Sequence, residues 1–231
     1  FSGVPCWAAQ TTTEVLENTG VRGGLIVHLG CGDGKTTVAL RTNDSFVVQG
    51  LDTDPANVAQ ARTTIQSLNQ SGTVTAQLFD GQRLPYVDNL VNLLIAEDLG
   101  KVTISEAMRT ICPGGTLAYK KGGAWIKMSK PWPKDLDDWT HYLHDPEGTS
   151  VSDDLLAGHP KGLRWTGGPF WARSHEHTAS MQAMVSTAGR VFYVMDEGPV
   201  ESIQLPSRFV LTARDAFNGT VLWKRDIGRW H

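Results

Sequence analysis

Apolar runs and helix-spaced segments alternate along the first half of the chain. Leu25, Ile26, Val27 and Leu29 form a run that stops at glycines 30, 32 and 34, and a short helical pattern follows through Val38 and Leu40. Phe46–Asp52 is a second run that ends in an acid. Pro55 then opens a helix whose Val58, Ala61, Ile65 and Leu68 share one face. Val74–Asp80 alternates like a strand and ends in a second acid before Gly81; Leu90–Ile95 is a fourth run. A helix over 103–111 opens with a capping box, Thr103 to Glu106, and Pro113-Gly114-Gly115 leads into a fifth strand, Thr116–Lys120. Strands this continuously apolar are buried on both faces, which predicts a Rossmann-like parallel α/β sheet.

The pattern changes near residue 122. Gly122-Gly123 reads as a hairpin turn between Thr116–Lys121 and Ala124–Lys130, and Pro131-Trp-Pro133 stops the sheet. Residues 131–184 show little periodicity and form an irregular connector rich in Trp and His. Residues 185–231 alternate again: strand, Gly turn, strand through Val194, then Phe209–Lys224 as strand, Asn218-Gly219 turn, strand. The division expected is 11–130, 131–184 and 185–231.

An apolar content of 40% and a charged content of 19% suit a folded domain or a domain and a half. The net charge of −3 leaves no electrostatic footprint for nucleic acid, and no apolar stretch approaches the length of a membrane span. Cys6, Cys31 and Cys112 are odd in number and form no Cys-x-x-Cys pair, which argues against a disulfide framework or a structural zinc. The opening, Phe1 to Gln10, has no initiator methionine and reads either as the end of a secretory leader cut near Ala8 or as an arbitrary boundary; the expectation is an exported or periplasmic chain, otherwise a cytoplasmic one.

The candidate chemistry sits in the glycine loop. A Walker loop ending at Gly34-Lys35-Thr36 needs a glycine where Leu29 stands, and a dinucleotide fingerprint starting at Gly30 needs one where Lys35 stands. The spacing present, Gly30-x-Gly32-x-Gly34, resembles the first motif of class I S-adenosylmethionine-dependent methyltransferases. Gly50-Leu-Asp52-Thr-Asp-Pro55 resembles their second motif, and Pro113-Gly-Gly115 their approach to the fifth strand. The resemblance implies a cofactor site of Gly30, Cys31, Gly32, Asp33 and Gly34 near the methionine part, Asp52 and Thr53 at the ribose, and Asp80 and Gly81 at the adenine. It also implies a helix and two further strands after the fifth, where this chain offers only a short hairpin, so the fold is expected to be curtailed there. No Asn-Pro-Pro motif follows the fourth strand, where Ala96-Glu97-Asp98 stand, and no catalytic residue is assigned. The bland alternatives are that Asp52 and Asp80 only cap the turns after them, that His28 is a hydrogen-bonded core histidine, and that Cys31 is a tolerated small residue.

Ala213-Arg-Asp-Ala-Phe-Asn-Gly-Thr-Val-Leu-Trp223 resembles the blade motif of quinoprotein-like β-propellers. The whole arrangement is similar to bacterial proteins, usually regarded as exported, that place a methyltransferase-like domain before such a propeller. This implies the remaining blades as partner, in the same polypeptide or another, and pyrroloquinoline quinone in the part beyond residue 231. His175-x-His177 on a strand and His141-x-x-His144 on a helical turn could each offer two ligands to a metal, but no third ligand stands at a telling spacing and none is assigned. Three functions stay open: an S-adenosylmethionine-using domain, a non-catalytic scaffold of methyltransferase shape, and the start of a propeller enzyme.

Overall fold

The computed structural model describes residues 6–7, 12–156, 158, 162–168, 173, 181–202 and 204–228. They fall into two compact units, 1–132 and 133–231. His175 and His177 lie outside the described residues.

The first unit runs β1 (Cys6–Trp7), α1 (Thr12–Thr19), β2 (Gly24–Leu29), α2 (Lys35–Ala39), β3 (Phe46–Asp52), α3 (Pro55–Ser67), β4 (Val74–Leu78), β5 (Val91–Ala96), α4 (Ile104–Thr110), β6 (Ile111–Lys121) and β7 (Ala124–Ser129). Its seven strands lie in the order β1-β7-β6-β5-β2-β3-β4. Strands β4, β3, β2, β5 and β6 are parallel, and β7 returns antiparallel against β6. Alternate residues of the central strands face opposite sides. Ile26, Val48, Leu93 and Ile95 pack with Val58, Ala61 and Ile65 of α3 on one face. Val27, Leu29, Leu51 and Leu94 pack with Ala107 of α4 on the other. Burial of each such side chain contributes roughly 1.5–3 kcal/mol. Covered on both faces, the sheet leaves only its strand ends to build a site.

The helix starts follow their capping residues. The Asp54 carboxylate accepts the Ala56 N–H ahead of Pro55 at the first turn of α3, and the Thr103 hydroxyl accepts the Glu106 N–H at α4.

Of the expectations for this unit, one is met and one needs correction. After the fifth parallel strand the chain adds only the hairpin strand β7, as expected, and the two-residue β1 pairs with it, Cys6 opposite Ile126 and Trp7 opposite Trp125, as the seventh strand of the sheet. The stretch that reads as the end of a leader therefore includes an edge strand. The fifth parallel strand also starts early, at Ile111, and the Pro113-Gly114-Gly115 segment is a bulge between the pairings Val91–Ile111 and Leu93–Thr116. An added Cβ at Gly115 would come within 2.9 Å of the Asn92 carbonyl oxygen, so the bulge requires glycine there.

The second unit contains β8 (Met181–Thr187), β9 (Arg190–Asp196), β10 (Phe209–Asp215) and β11 (Val221–Gly228), joined in sequence order into one four-stranded antiparallel sheet. The strand expected to open at Val185 begins at Met181, and the two expected hairpins are fused by the pairing of β9 with β10. The Asn218-Gly219 connection is not a two-residue turn. Asp215 closes it by accepting the Phe217 and Asn218 N–H groups, with Gly219 at φ +75°.

The connector is fastened to this sheet by side chains: Asp138 accepts from the Thr187 hydroxyl and the Ala188 N–H, and the Trp165 indole N–H donates to the Ala216 carbonyl. His141 and His144 are not on a helical turn; their backbones exchange N–H···O bonds of 3.1 Å across a tight bridge. Both ring nitrogens of buried His144 are engaged, Nε2 with Asp137 at 2.7 Å and Nδ1 with the Thr149 hydroxyl at 3.0 Å. The Asp137 hydrogen bond raises the His144 pKa above its ordinary value, and the imidazole fastens the connector through both ring nitrogens. Among the described residues no three His, Cys, Asp or Glu side chains cluster as a metal site, and no helix is long and apolar enough to cross a membrane.

Candidate active site

The carboxyl ends of β2, β3, β4 and β5 meet at a cleft of about 340 Å³. Leu29 and Gly30 come from the end of β2, Asp52 and Thr53 from β3, Phe79 to Gly81 from the end of β4, and Asp98 to Lys101 from the loop after β5. Its volume lies in the range of small-molecule pockets.

The glycine loop turns sharply over β3. The Gly30 and Cys31 N–H groups both donate to the Leu51 carbonyl, at 2.8 and 3.2 Å, and the Gly34 N–H donates back to the Cys31 carbonyl at 2.9 Å. Gly30, Gly32 and Gly34 have φ of +74°, +50° and +82°, a left-handed conformation that side-chain-bearing residues adopt only at a cost. Around Gly30 an added Cβ would meet nothing within 4 Å, so this backbone faces open space at the cleft rim. Gly34 is different: a Cβ there would lie 2.7 Å from the Cα of Ala61, so Gly34 lets α2 approach α3.

Asp52 ties the loop to the strand end. It is 7% exposed. Its Oδ2 accepts from the Gly32 N–H at 3.1 Å and the Asn57 amide at 3.2 Å, and its Oδ1 accepts from the Asp54 N–H at 3.0 Å. Burial works against the charge, but these donors outweigh it and hold the carboxyl below its ordinary value. The capping alternative is therefore partly right for Asp52, which caps the turn while also lining the cleft. Asp80 is exposed, and its Oδ1 accepts from the Gln82 and Arg83 N–H groups, both at 2.8 Å. Those two bonds lower its pKa.

Of the residues read from the sequence, Gly30, Asp52, Thr53, Asp80 and Gly81 line the cleft, and Gly32 touches it through Asp52. Cys31, Asp33 and Gly34 do not line it. Cys31 is 3% exposed and packs where Gly50 has no side chain, and burial pushes its thiol up to about 11. Asp33 turns outward into an ion pair with Lys35 at 2.8 Å. His28 is the core histidine of the bland alternative: Nδ1 meets the Thr37 hydroxyl at 2.9 Å, and burial lowers its pKa to about 4.

The sequence reading missed Leu29, Phe79 and the whole segment Asp98–Lys101. A signal for the last was present, because every loop after a parallel strand of such a sheet opens on the same edge. Asp98 accepts the Gly100 N–H at 2.8 Å in a tight turn that carries Leu99 and Lys101 to the rim.

A crossover sheet with a glycine-rich first turn and an acid ending the next strand defines a Rossmann-like α/β domain of the class I methyltransferase type. The family model described as a methyltransferase domain matches residues 26–115, and the first unit is a methyltransferase-like domain. The O-methyltransferase rstn1 of Aspergillus nomiae is 25% identical over 155 residues, covering 64% of this chain and 68% of that protein. Among solved structures, a SAM-dependent methyltransferase from Aquifex aeolicus is 20% identical with a TM-score of 0.42, over 46% of this chain and 61% of its own. A geranyl diphosphate methyltransferase in complex with SAM is 18% identical with a TM-score of 0.41, over 46% of each chain. The chain thus spans about half the length of these solved structures.

Proposed function

We propose that the first unit binds S-adenosylmethionine in the cleft and directs its methyl group to an acceptor. The observation that carries this reading is the buried, ionised Asp52, fixed at the end of β3 by the Gly32 N–H and facing the cleft. A carboxylate so held can accept from ribose hydroxyls without reorganising, in bonds worth roughly 1.5–3 kcal/mol each. The residues present fit the rest of the group: Leu29, Phe79 and Leu99 offer apolar surface to a purine, Asp80 an acceptor for its amino group, and Gly30 unobstructed backbone. Asp52, Asp80 and Asp98 outnumber Lys101 around the cleft, which suits a sulfonium cation.

When bound, S-adenosylmethionine supplies an electrophilic methyl group. The chain's contribution is placement, for which no particular side chain is obligatory. Calorimetric titration with S-adenosylmethionine and S-adenosylhomocysteine should give dissociation constants of about 1 μM, some 8 kcal/mol of binding. Absence of heat at millimolar ligand overturns the reading in favour of a scaffold of methyltransferase shape.

For the second unit, we propose one blade of a β-propeller. Its support is the four-stranded antiparallel sheet in sequence order, with Asp215 and Gly219 closing the last connection and Trp223 following. Phe192, Val194 and Leu211 on one face are only half-buried, and Trp223 is 44% exposed. Such a face calls for a covering sheet, and further blades are the partner proposed. The quinone expected from the propeller resemblance finds no support among the described residues. In sedimentation velocity the chain should self-associate at about 100 μM through this face, and Leu211→Lys should return it to monomer. A wild-type monomer at that concentration speaks against an uncovered blade.

A further inference from the structure

The loop between β4 and β5 forms one wall of the cleft at its start, Phe79 to Gly81, and is gripped at its middle from below. Arg109, in the last turn of α4, donates through Nη1 to the Tyr86 carbonyl at 2.8 Å and to the Asp88 carboxylate at 2.7 Å. Its Nη2 donates to the Leu84 carbonyl at 3.3 Å and to Glu106 at 2.7 Å, and its Nε to the other Glu106 oxygen at 2.8 Å. Glu106 in turn accepts the Leu84 N–H at 2.8 Å. The ion pair thus holds both the N–H and the C=O of Leu84, whose side chain is 1% exposed in the core beneath. Further along, the Tyr86 hydroxyl donates to Gln49 of β3 at 2.7 Å.

We propose that Arg109 is a positioning residue for the purine-facing wall of the cleft, acting through this loop onto Asp80. The inference rests on the S-adenosylmethionine reading. The chain of contacts is short: Asp80 is oriented by the Gln82 and Arg83 N–H groups, and the next residue, Leu84, is the one the Arg109–Glu106 pair clamps. A purely helical role for Arg109 would need only its pairing with Glu106 one turn back, a modest surface interaction. Three of its bonds instead go to Leu84, Tyr86 and Asp88 of the loop. The planar fork is suited to this, because it serves carbonyls and carboxylates in several directions at once, which an ammonium does not.

The test compares wild type, Arg109→Gln and Arg109→Lys for binding S-adenosylhomocysteine and its 6-oxo (inosyl) analogue, which lacks the amino group offered to Asp80. Wild type should prefer the adenosyl ligand by about tenfold, the effect of one hydrogen bond to a carboxylate. Arg109→Gln should weaken the adenosyl ligand about tenfold and the inosyl analogue by less than about twofold, so the preference collapses. Arg109→Lys should fall between, and it carries the test by itself should the glutamine variant not fold. Equal weakening of both ligands means a merely structural role and overturns the proposal, as does an unchanged preference in both variants. If wild type binds neither ligand, the cofactor reading itself has failed and this inference falls with it.

Discussion

Asp52→Ala is expected to weaken S-adenosylhomocysteine binding by at least about a hundredfold, the loss of two charge-assisted bonds worth roughly 1.5–3 kcal/mol each. The measurement is calorimetric titration of the variant beside wild type, with circular dichroism to show that the sheet is retained. Stability should also fall, by roughly 1–3 kcal/mol, because the Gly32 and Asp54 N–H groups lose their acceptor. The pH dependence has a definite sign. The Asp52 pKa is lowered in the folded chain, so its contribution is complete above the ordinary value of 3.8 and is lost as pH falls through the lowered one. Affinity should therefore stay level from about pH 6 to 9 with respect to this group. Wild-type affinity in the alanine variant would remove Asp52 from the site.

Gly34→Ala is expected to destabilise the first unit by roughly 2–4 kcal/mol in urea unfolding. A left-handed φ of +82° costs a residue with a side chain roughly 1–2 kcal/mol, and the added methyl meets the Ala61 backbone at 2.7 Å, an overpacking of similar cost. Against a typical total of about 5–15 kcal/mol that is a large share. Gly30→Ala shares the backbone strain but has open space around it, so its stability loss should stay near about 1 kcal/mol. Equal losses at the two positions would show that packing on α3 is not what Gly34 serves.

These two glycines mark the limit of what the sequence could reveal. Both sit at alternate places in one short motif, and only the proximity of α3 assigns Gly34 to packing and Gly30 to the rim. Local patterns were legible. Phe46–Asp52 is a strand with the bounds its apolar run implies, and the Gly122-Gly123 turn joins β6 to β7 as expected. Asp52 beside the loop was legible too, because strand, turn and acid come in a fixed order. What escaped depends on partners distant in sequence. β1 is two residues long, too short for any periodicity, and exists because β7 offers it an edge. Asp98–Lys101 joins the cleft through the sheet's topology and not through a motif of its own. The connector shows little periodicity because its order comes from single side chains such as Asp138 and Trp165 reaching the sheet.

The closing strand pair has a practical consequence for anyone who shortens this protein. Residues 26–115, the portion with a recognised family signature, would leave behind β1, α1 and β7 and cut β6 in mid-course. The flank that β7 now shields would face water with its amides and carbonyls unmated, an invitation to stacking between molecules. The minimal soluble form of this domain is therefore larger than the minimal recognisable one.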